Sequence, residues 1–291
     1  MRHGLDHIVH AVRDLDAAAE FYARAGFTVG ARNRHAWGTH NRIVQLSNCY
    51  IEILEVAEPE KILPHGARSF SFGAFNRDFL GDRQGFSMLL LNSGNAVDDA
   101  RSFAAAGIGN SEVFEFSREG KKPDGTAVKL AFSLAFAQDK ASPHVRFAVC
   151  QHHFPENFWD PAFQRHANGA NAVPGVVLVA DNPTDHHIFL KAFTGVSDLN
   201  SNSIGIRART ENGDIEIMEQ VAFRDQFGVS PNLSGEGMTL NGLRFEVADI
   251  DRTEALLRHG GLAAQRHVGR LVVAPDIAHG ATLIFETAWI N

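Results

Sequence analysis

The chain has 291 residues, 44% of them hydrophobic and 21% charged, which is the composition of a packed globular protein and excludes a disordered one. Its length suits two domains or one large sheet-rich unit, with enough chain to bury a core without covalent staples. With 27 Lys and Arg against 34 Asp and Glu, a formal charge of −7, and no basic run longer than Lys121-Lys122, no nucleic-acid partner is expected.

The stretch from Met1 to His7 lacks the apolar run of a signal peptide, and no segment is long enough to span a bilayer. A cytoplasmic protein without a membrane partner is therefore expected. The first predicted strand covers 7–12; Asp14 follows it, then a helix over 17–25 and Gly26. The same phrase returns three times: a strand over 86–91 with Asn95, a helix over 96–106 and Gly107; a strand over 176–180 with Asp181, a helix over 185–193 and Gly195; and a strand over 243–247 with Asp249, a helix over 251–259 and Gly260. In each copy a short polar side chain stands where it can accept hydrogen bonds from the free N–H groups of the helix, and glycine stands where the helix must stop. The first helix carries Ala18, Phe21, Tyr22 and Ala25 on one side, the stripe of a short helix lying on a sheet.

Further strands are predicted after each helix: 42–56 in the first copy, 127–137 and 145–154 in the second, 203–221 in the third, and 269–273 with 282–290 in the fourth. The pattern predicts an α+β fold of four βαβββ modules in two pairs, with modules at about 4–58 and 84–155 in a first half, 1–160, and at about 172–222 and 238–291 in a second half, 161–291. Segments 57–85, 155–175 and 223–237 read as loops. The second is aromatic and polar, so it is a candidate pocket wall.

Imidazole is the commonest metal ligand, and the chain has 15 histidines. Most, such as His35, His40 and His259, lie in polar segments and read as solvated surface. Cys49 and Cys150 lie in apolar strands and read as small buried hydrophobes, with a single disulfide between them left open. Alternation along the first strand puts His7 on the open face and His10 at a packed or edge position. In 49–55, Ile51 and Ile53 share the covered face while Tyr50, Glu52 and Leu54 share the other, and Glu55 suits a solvated role near the strand end. A carboxylate in an apolar strand needs water, a cation or a metal, which singles out Glu52. Of the consecutive His152 and His153, one must face the open side. His7, Glu52 and one of that doublet would suit Zn, Fe(II), Mn, Co or Ni, with coordination positions left for substrate.

The run from Leu5 to Tyr22 and the strand Tyr50-Ile51-Glu52-Ile53-Leu54-Glu55 resemble the opening and closing elements of the vicinal oxygen chelate superfamily, which includes glyoxalase I, methylmalonyl-CoA epimerase, extradiol dioxygenases and the fosfomycin and bleomycin resistance proteins. The resemblance covers all four modules. It implies paired modules forming barrel-like half-open sheets, with first and last strands supplying metal ligands, and this pattern carries over to His7 and Glu52. The place of His7 is taken by Phe86, Pro174 and about Gly242 in the other modules, so the second pair is expected to be metal-free. In the last strand the ligand place falls on Ile284, and Glu286 would contribute only under a different module pairing.

These observations lead to a metal-dependent glyoxalase-like lyase or isomerase acting on a small molecule with neighbouring oxygens. His7, Glu52 and His152 or His153 would hold a divalent cation (Zn, Mn, Co, Ni or Fe), with Glu52 alternatively the catalytic base. The rival readings are an extradiol-type dioxygenase, and a non-catalytic binding or sequestering protein whose cleft is lined by Trp37, Phe72 and Trp159. In a blander reading, His152 and His153 only cap strand ends. The oligomeric state stays open.

Overall fold

The computed structural model describes residues 2–109, 112–121, 125–233 and 235–288. Lys122 of the basic pair and the end of the predicted last strand, including Ile290, lie outside the described residues. In the first half, strands β1 (Leu5–Ala11), β2 (Asn33–Arg34), β3 (Thr39–Gln45), β4 (Tyr50–Val56), β5 (Gly85–Asn92), β6 (Phe114–Lys121), β7 (Ala127–Ala137) and β8 (Arg146–His152) join in the order β2-β3-β4-β1-β5-β8-β7-β6. In the second, β9 (Ala170–Val179), β10 (Asn200–Asn202), β11 (Gly205–Arg209), β12 (Asp214–Met218), β13 (Thr239–Val247), β14 (Gln265–His267), β15 (Arg270–Val273) and β16 (Thr282–Glu286) repeat it as β10-β11-β12-β9-β13-β16-β15-β14.

Each module's first strand pairs parallel with its last, β1 with β4 and β5 with β8, and the two first strands meet antiparallel in the middle of the sheet. The second sheet is built the same way from β9, β12, β13 and β16. The predicted α+β fold and the pairing of first with second and third with fourth modules are both present.

The helices α1 (Leu15–Arg24), α3 (Ala96–Ala105), α5 (His187–Thr194) and α7 (Ile250–His259) follow the first strands. Asp14, Asn95 and Asp249 accept the free N–H groups at the starts of α1, α3 and α7, as their positions predict. In the third module a 3-10 turn over Pro183–His186 precedes α5; Asn182, not Asp181, caps that turn, and α5 itself starts without a side-chain cap. The helix-covered faces of the two sheets share one core, in which Phe27 meets Phe245 at 5.1 Å and Phe147 meets Phe189 at 4.7 Å. Burial of such aromatic rings contributes the largest single apolar terms to stability. The opposite faces are therefore left to form clefts.

All three predicted loops contain helical residues: the short α4 (Pro155–Phe158) opens the segment 155–175, and two longer helices lie in or reach into the others. α2 (Phe72–Asp82) lies in the segment 57–85, capped by Ser71, and sends Phe72 and Phe75 onto the open face of the first sheet. α6 (Gln220–Phe227) in the third module places Phe223 and Phe227 on the second sheet. Both bury phenylalanines at helical spacing, which outweighs the turn-like composition around them. The edge strands β2, β6, β10 and β14 also went unpredicted, and the last described strand stops at Glu286.

Candidate active site

The open face of the first sheet carries His7 and Val9 from β1, Tyr50, Glu52 and Leu54 from β4, and Asn41 and Ile43 from β3, as period-two alternation requires. Ile51 and Ile53 turn the other way into the shared core. The ladder between β1 and β5 is irregular at two places, and the first bears on the site. Between Leu5 and His7 the ladder to β5 shifts register, leaving Asp6 unpaired, so Asp6 and His7 reach the same buried cluster although they are consecutive.

Asp6 Oδ1 lies 2.5 Å from His7 Nδ1 and 3.2 Å from His152 Nε2. Burial would raise the Asp6 carboxyl, but the neighbouring His152 and then His7 outweigh it and hold the group below the ordinary carboxylate range. A carboxylate only accepts, so His7 Nδ1 and His152 Nε2 both carry hydrogen and donate to it. In the neutral imidazole, His7 Nε2 is then left as a bare acceptor, 3.8 Å from Glu52 Oε2. Tyr50 stacks on the His7 ring at 4.3 Å and fixes its plane. His152 is wedged against Phe132, Phe158 and Trp159, and its Nδ1 is buried without a hydrogen-bond partner.

Glu52 is fixed from the other side. The Asn41 side-chain amide donates to Glu52 Oε1 at 2.5 Å and approaches His35 Nε2 at 3.3 Å. His35 Nε2 therefore accepts, and its Nδ1–H donates to Thr39 Oγ1 at 2.8 Å. Burial holds the His35 imidazole below its ordinary range, with Glu52 pulling the other way. The expectation that His35 and His40 are solvated is thus wrong: both are 7% exposed, because polar neighbours in β3, β4 and the following turn satisfy them. Glu55 is not simply solvated either. It accepts the Leu15 N–H at the start of α1 at 2.9 Å and pairs with Arg32.

The structure thus brings His7, Glu52 and, through Asp6, His152 to one place. It leaves His153 on the other side of β8, exposed, with Nε2 2.8 Å from Ser133 Oγ. His10 also points away, buried between the Tyr22 hydroxyl at 2.8 Å and the His279 carbonyl at 3.0 Å. Cys150 lines the cavity as a free thiol, and burial, then Asp6 and Glu52, push its ionisation well above the ordinary range. Cys49 is equally free and lies in the shared core.

The His7–Glu52 cavity has about 40 Å3 of free space and is walled by aromatic rings, including Trp37, Phe72, Phe116 and Phe132. Ile43, Arg118 and Phe158 also border a wider neighbouring groove of about 590 Å3, within the range of small-molecule sites. The segment after β8 is indeed a wall of that groove: Phe158 and Trp159 line it, and Gln45 on β3 pins the turn by donating to the Phe158 carbonyl at 2.8 Å and accepting from the Asp160 N–H at 3.1 Å.

The donor chemistry fits a divalent cation. His7 presents an oriented imidazole nitrogen to the Glu52 carboxylate, with Asp6 behind the ring in the place where a carboxylate holds a metal-binding histidine. Ligand atoms of Asp6, His7 and Cys150 also lie within 4.8 Å of one another, a second donor set sharing His7. The corresponding face of the second sheet is different. Glu216, opposite Val177 as Glu52 is opposite Val9, accepts from Arg244 at 2.7 Å and pairs with Arg207 at 2.9 Å. Glu286 accepts from Arg244 at 2.6 Å and Arg270 at 2.9 Å. Those two carboxylates are already satisfied by arginines, and Glu286 does not reach the first cavity.

Asp6, His35, Asn41 and Arg118 were not among the predicted site residues. The run Asp6-His7 carries a signal only if a bulge is assumed, and the alternation Thr39-His40-Asn41 was readable as a strand joining the site.

A family model described as "Glyoxalase-like domain" matches residues 5–194. No curated protein matches the chain. Among solved structures, a hypothetical protein from Staphylococcus aureus is similar at 14% identity and a TM-score of 0.67, covering 99% of this chain and 100% of that one. A mutant of 4-hydroxymandelate synthase from Streptomyces coelicolor is similar at 11% identity and 0.59, covering 100% and 95%. A xylose isomerase-like TIM barrel/4-hydroxyphenylpyruvate dioxygenase fusion protein is similar at 12% and 0.55, covering 100% of this chain and 50% of that one. At these identities the three share the fold.

Proposed function

The chain belongs to the glyoxalase-like domain family of the vicinal oxygen chelate superfamily, and from that premise we propose that it is a metal-dependent lyase or isomerase acting on a small molecule with neighbouring oxygens. The observation that carries this reading is the bare His7 Nε2 facing the Glu52 carboxylate at 3.8 Å, with the other ring nitrogen tied to Asp6. His7 and Glu52 would hold the cation, and His152 supports them by donating to Asp6. When bound, Zn, Mn, Co, Ni or Fe(II) supplies Lewis acidity toward negative charge developing on substrate oxygens.

The remaining work falls to the chain. Among the described residues lining the cavity, Glu52 is the sole carboxylate, so in the alternative in which it leaves the cation it is the group that accepts a proton from a carbon beside a carbonyl. Asn41 donates to one of its oxygens and leaves the other turned toward His7. The neutral His35 beside it does not compete for charge. The aromatic walls exclude water, which strengthens every electrostatic interaction within the cavity.

A second reading, a non-catalytic binding protein, is favoured by how narrow the inner cavity is. Metal analysis separates the two. Purified protein supplied with these metals is expected to retain close to one per chain, and His7→Ala and Glu52→Ala to lose most of it. Retention below about a tenth per chain in the unaltered protein, or metal content unchanged by His7→Ala, overturns the enzyme reading.

A further inference from the structure

Two hydrogen-bond donors in the cleft have no use in the account above. Arg118 on β6 is half-buried at the junction of the inner cavity and the outer groove, yet among the described residues its side chain makes a single hydrogen bond, a 3.4 Å contact with the neighbouring Glu119 carbonyl, and no ion pair. Burial depresses its ionisation, and Tyr50 and then Glu52 only partly restore it. A guanidinium withdrawn from water without a partner is unfavourable unless an anion joins it, and its planar fork fits a carboxylate bidentately. Trp37 lines the same cavity, and its Nε1–H is buried with no acceptor.

The surrounding walls are flat. Phe114, Phe116 and Arg118 alternate on one face of β6; Phe116 stacks with Phe132 at 5.0 Å, and Trp37 meets Phe114 and Phe116 edge-on at 5.2 and 5.1 Å. Ring-lined slots favour flat apolar bodies. We propose that this site takes a small carboxylate with an aromatic body, the carboxylate held at the junction by Arg118 and the Trp37 Nε1–H and the ring lying in the wider outer groove against Phe158 and Trp159. The proposal rests on the first cavity being the functional site, as in the reading above, and adds the class of ligand that enters it.

The test uses full-length protein dialysed against EDTA, so that it does not depend on a bound metal. The probes are phenylacetate and its neutral counterpart phenylacetamide, followed by calorimetry and by the indole N–H resonance of Trp37, assigned with Trp37→Phe. Phenylacetate is expected to bind and to move that resonance, and phenylacetamide to bind at least about tenfold more weakly. Arg118→Gln should weaken phenylacetate about 10- to 100-fold while leaving phenylacetamide unchanged, with Arg118→Lys between them. Equal binding of acid and amide, no binding of either, unchanged affinity in a folded Arg118→Gln, or a Trp37 resonance that stays fixed would each overturn the proposal. Metal retention is measured separately on the same variants: its loss in unaltered protein refutes the metal-dependent reading, whereas Arg118→Gln should leave metal content unaltered.

Discussion

His10 offers a test of how the two sheets are joined. It is fully buried, its Nε2–H donates to the His279 carbonyl on the second half, and its Nδ1 accepts from the Tyr22 hydroxyl, so both ring nitrogens are satisfied only in the neutral form. Burial lowers its ionisation from 6.5 to about 3, outweighing the hydrogen bond to the His279 carbonyl, which favours the charged form. The folded value lies below the unfolded one, so the unfolded chain binds the proton more tightly. The associated stability is fully present above 6.5 and is lost as the pH falls from there toward 3. At 1.36 kcal/mol per unit, this one group removes about 2 kcal/mol between pH 7.5 and pH 5. Urea unfolding at a series of pH values measures it. Burial also lowers His35, His166 and His279, so the quantity of interest is the difference from His10→Gln, which keeps a donor and an acceptor but cannot titrate in this range. The variant should show a pH dependence flatter by about 2 kcal/mol over that interval. Parallel curves for the two proteins would refute the reasoning.

Asp6→Asn replaces a carboxylate accepting from two imidazoles by an amide that must turn a donor toward one of them. Chemical unfolding should register a loss of about 2–4 kcal/mol, and metal retention should fall with it. Glu286→Gln should cost about 3 kcal/mol in the same assay by uncoupling Arg244 and Arg270, yet leave metal content untouched, since Glu286 is engaged by those arginines in the second cleft and does not reach the first. Gly280 has φ +86°, and a Cβ there would stand 2.0 Å from the Gln84 carbonyl oxygen where the halves meet. Gly280→Ala should lower stability by about 2–4 kcal/mol, read as a drop in melting temperature.

Much of this arrangement was legible because it follows from short-range rules. Alternation along β4 separates Ile51 and Ile53 from Tyr50, Glu52 and Leu54, and the structure keeps that division. The polar residue before three of the four repeated helices marks the helix start, whereas in the third module Asn182 marks the 3-10 turn that precedes α5. The failures come from interactions that alternation does not encode. The bulge at Asp6 puts two consecutive side chains in one cluster, and no local pattern announces it. His35 and His40 look like surface residues because their segment is polar, but they are buried by satisfying one another's neighbours. Arg118 sits on an edge strand that was not recognised at all. α2 was missed despite Ser71 and the spacing of Phe72, Phe75 and Phe79, because the Pro- and Gly-rich stretch before it reads as loop.

The most direct test of the central claim is an anomalous-difference map from crystals of the full chain grown with Mn or Zn and recorded at that metal's absorption edge. The account predicts one strong peak bonded to His7 Nε2 and the Glu52 carboxylate, and nothing beside Glu216 or Glu286. An empty cleft in crystals that hold the metal elsewhere, or a peak that avoids His7, would contradict it.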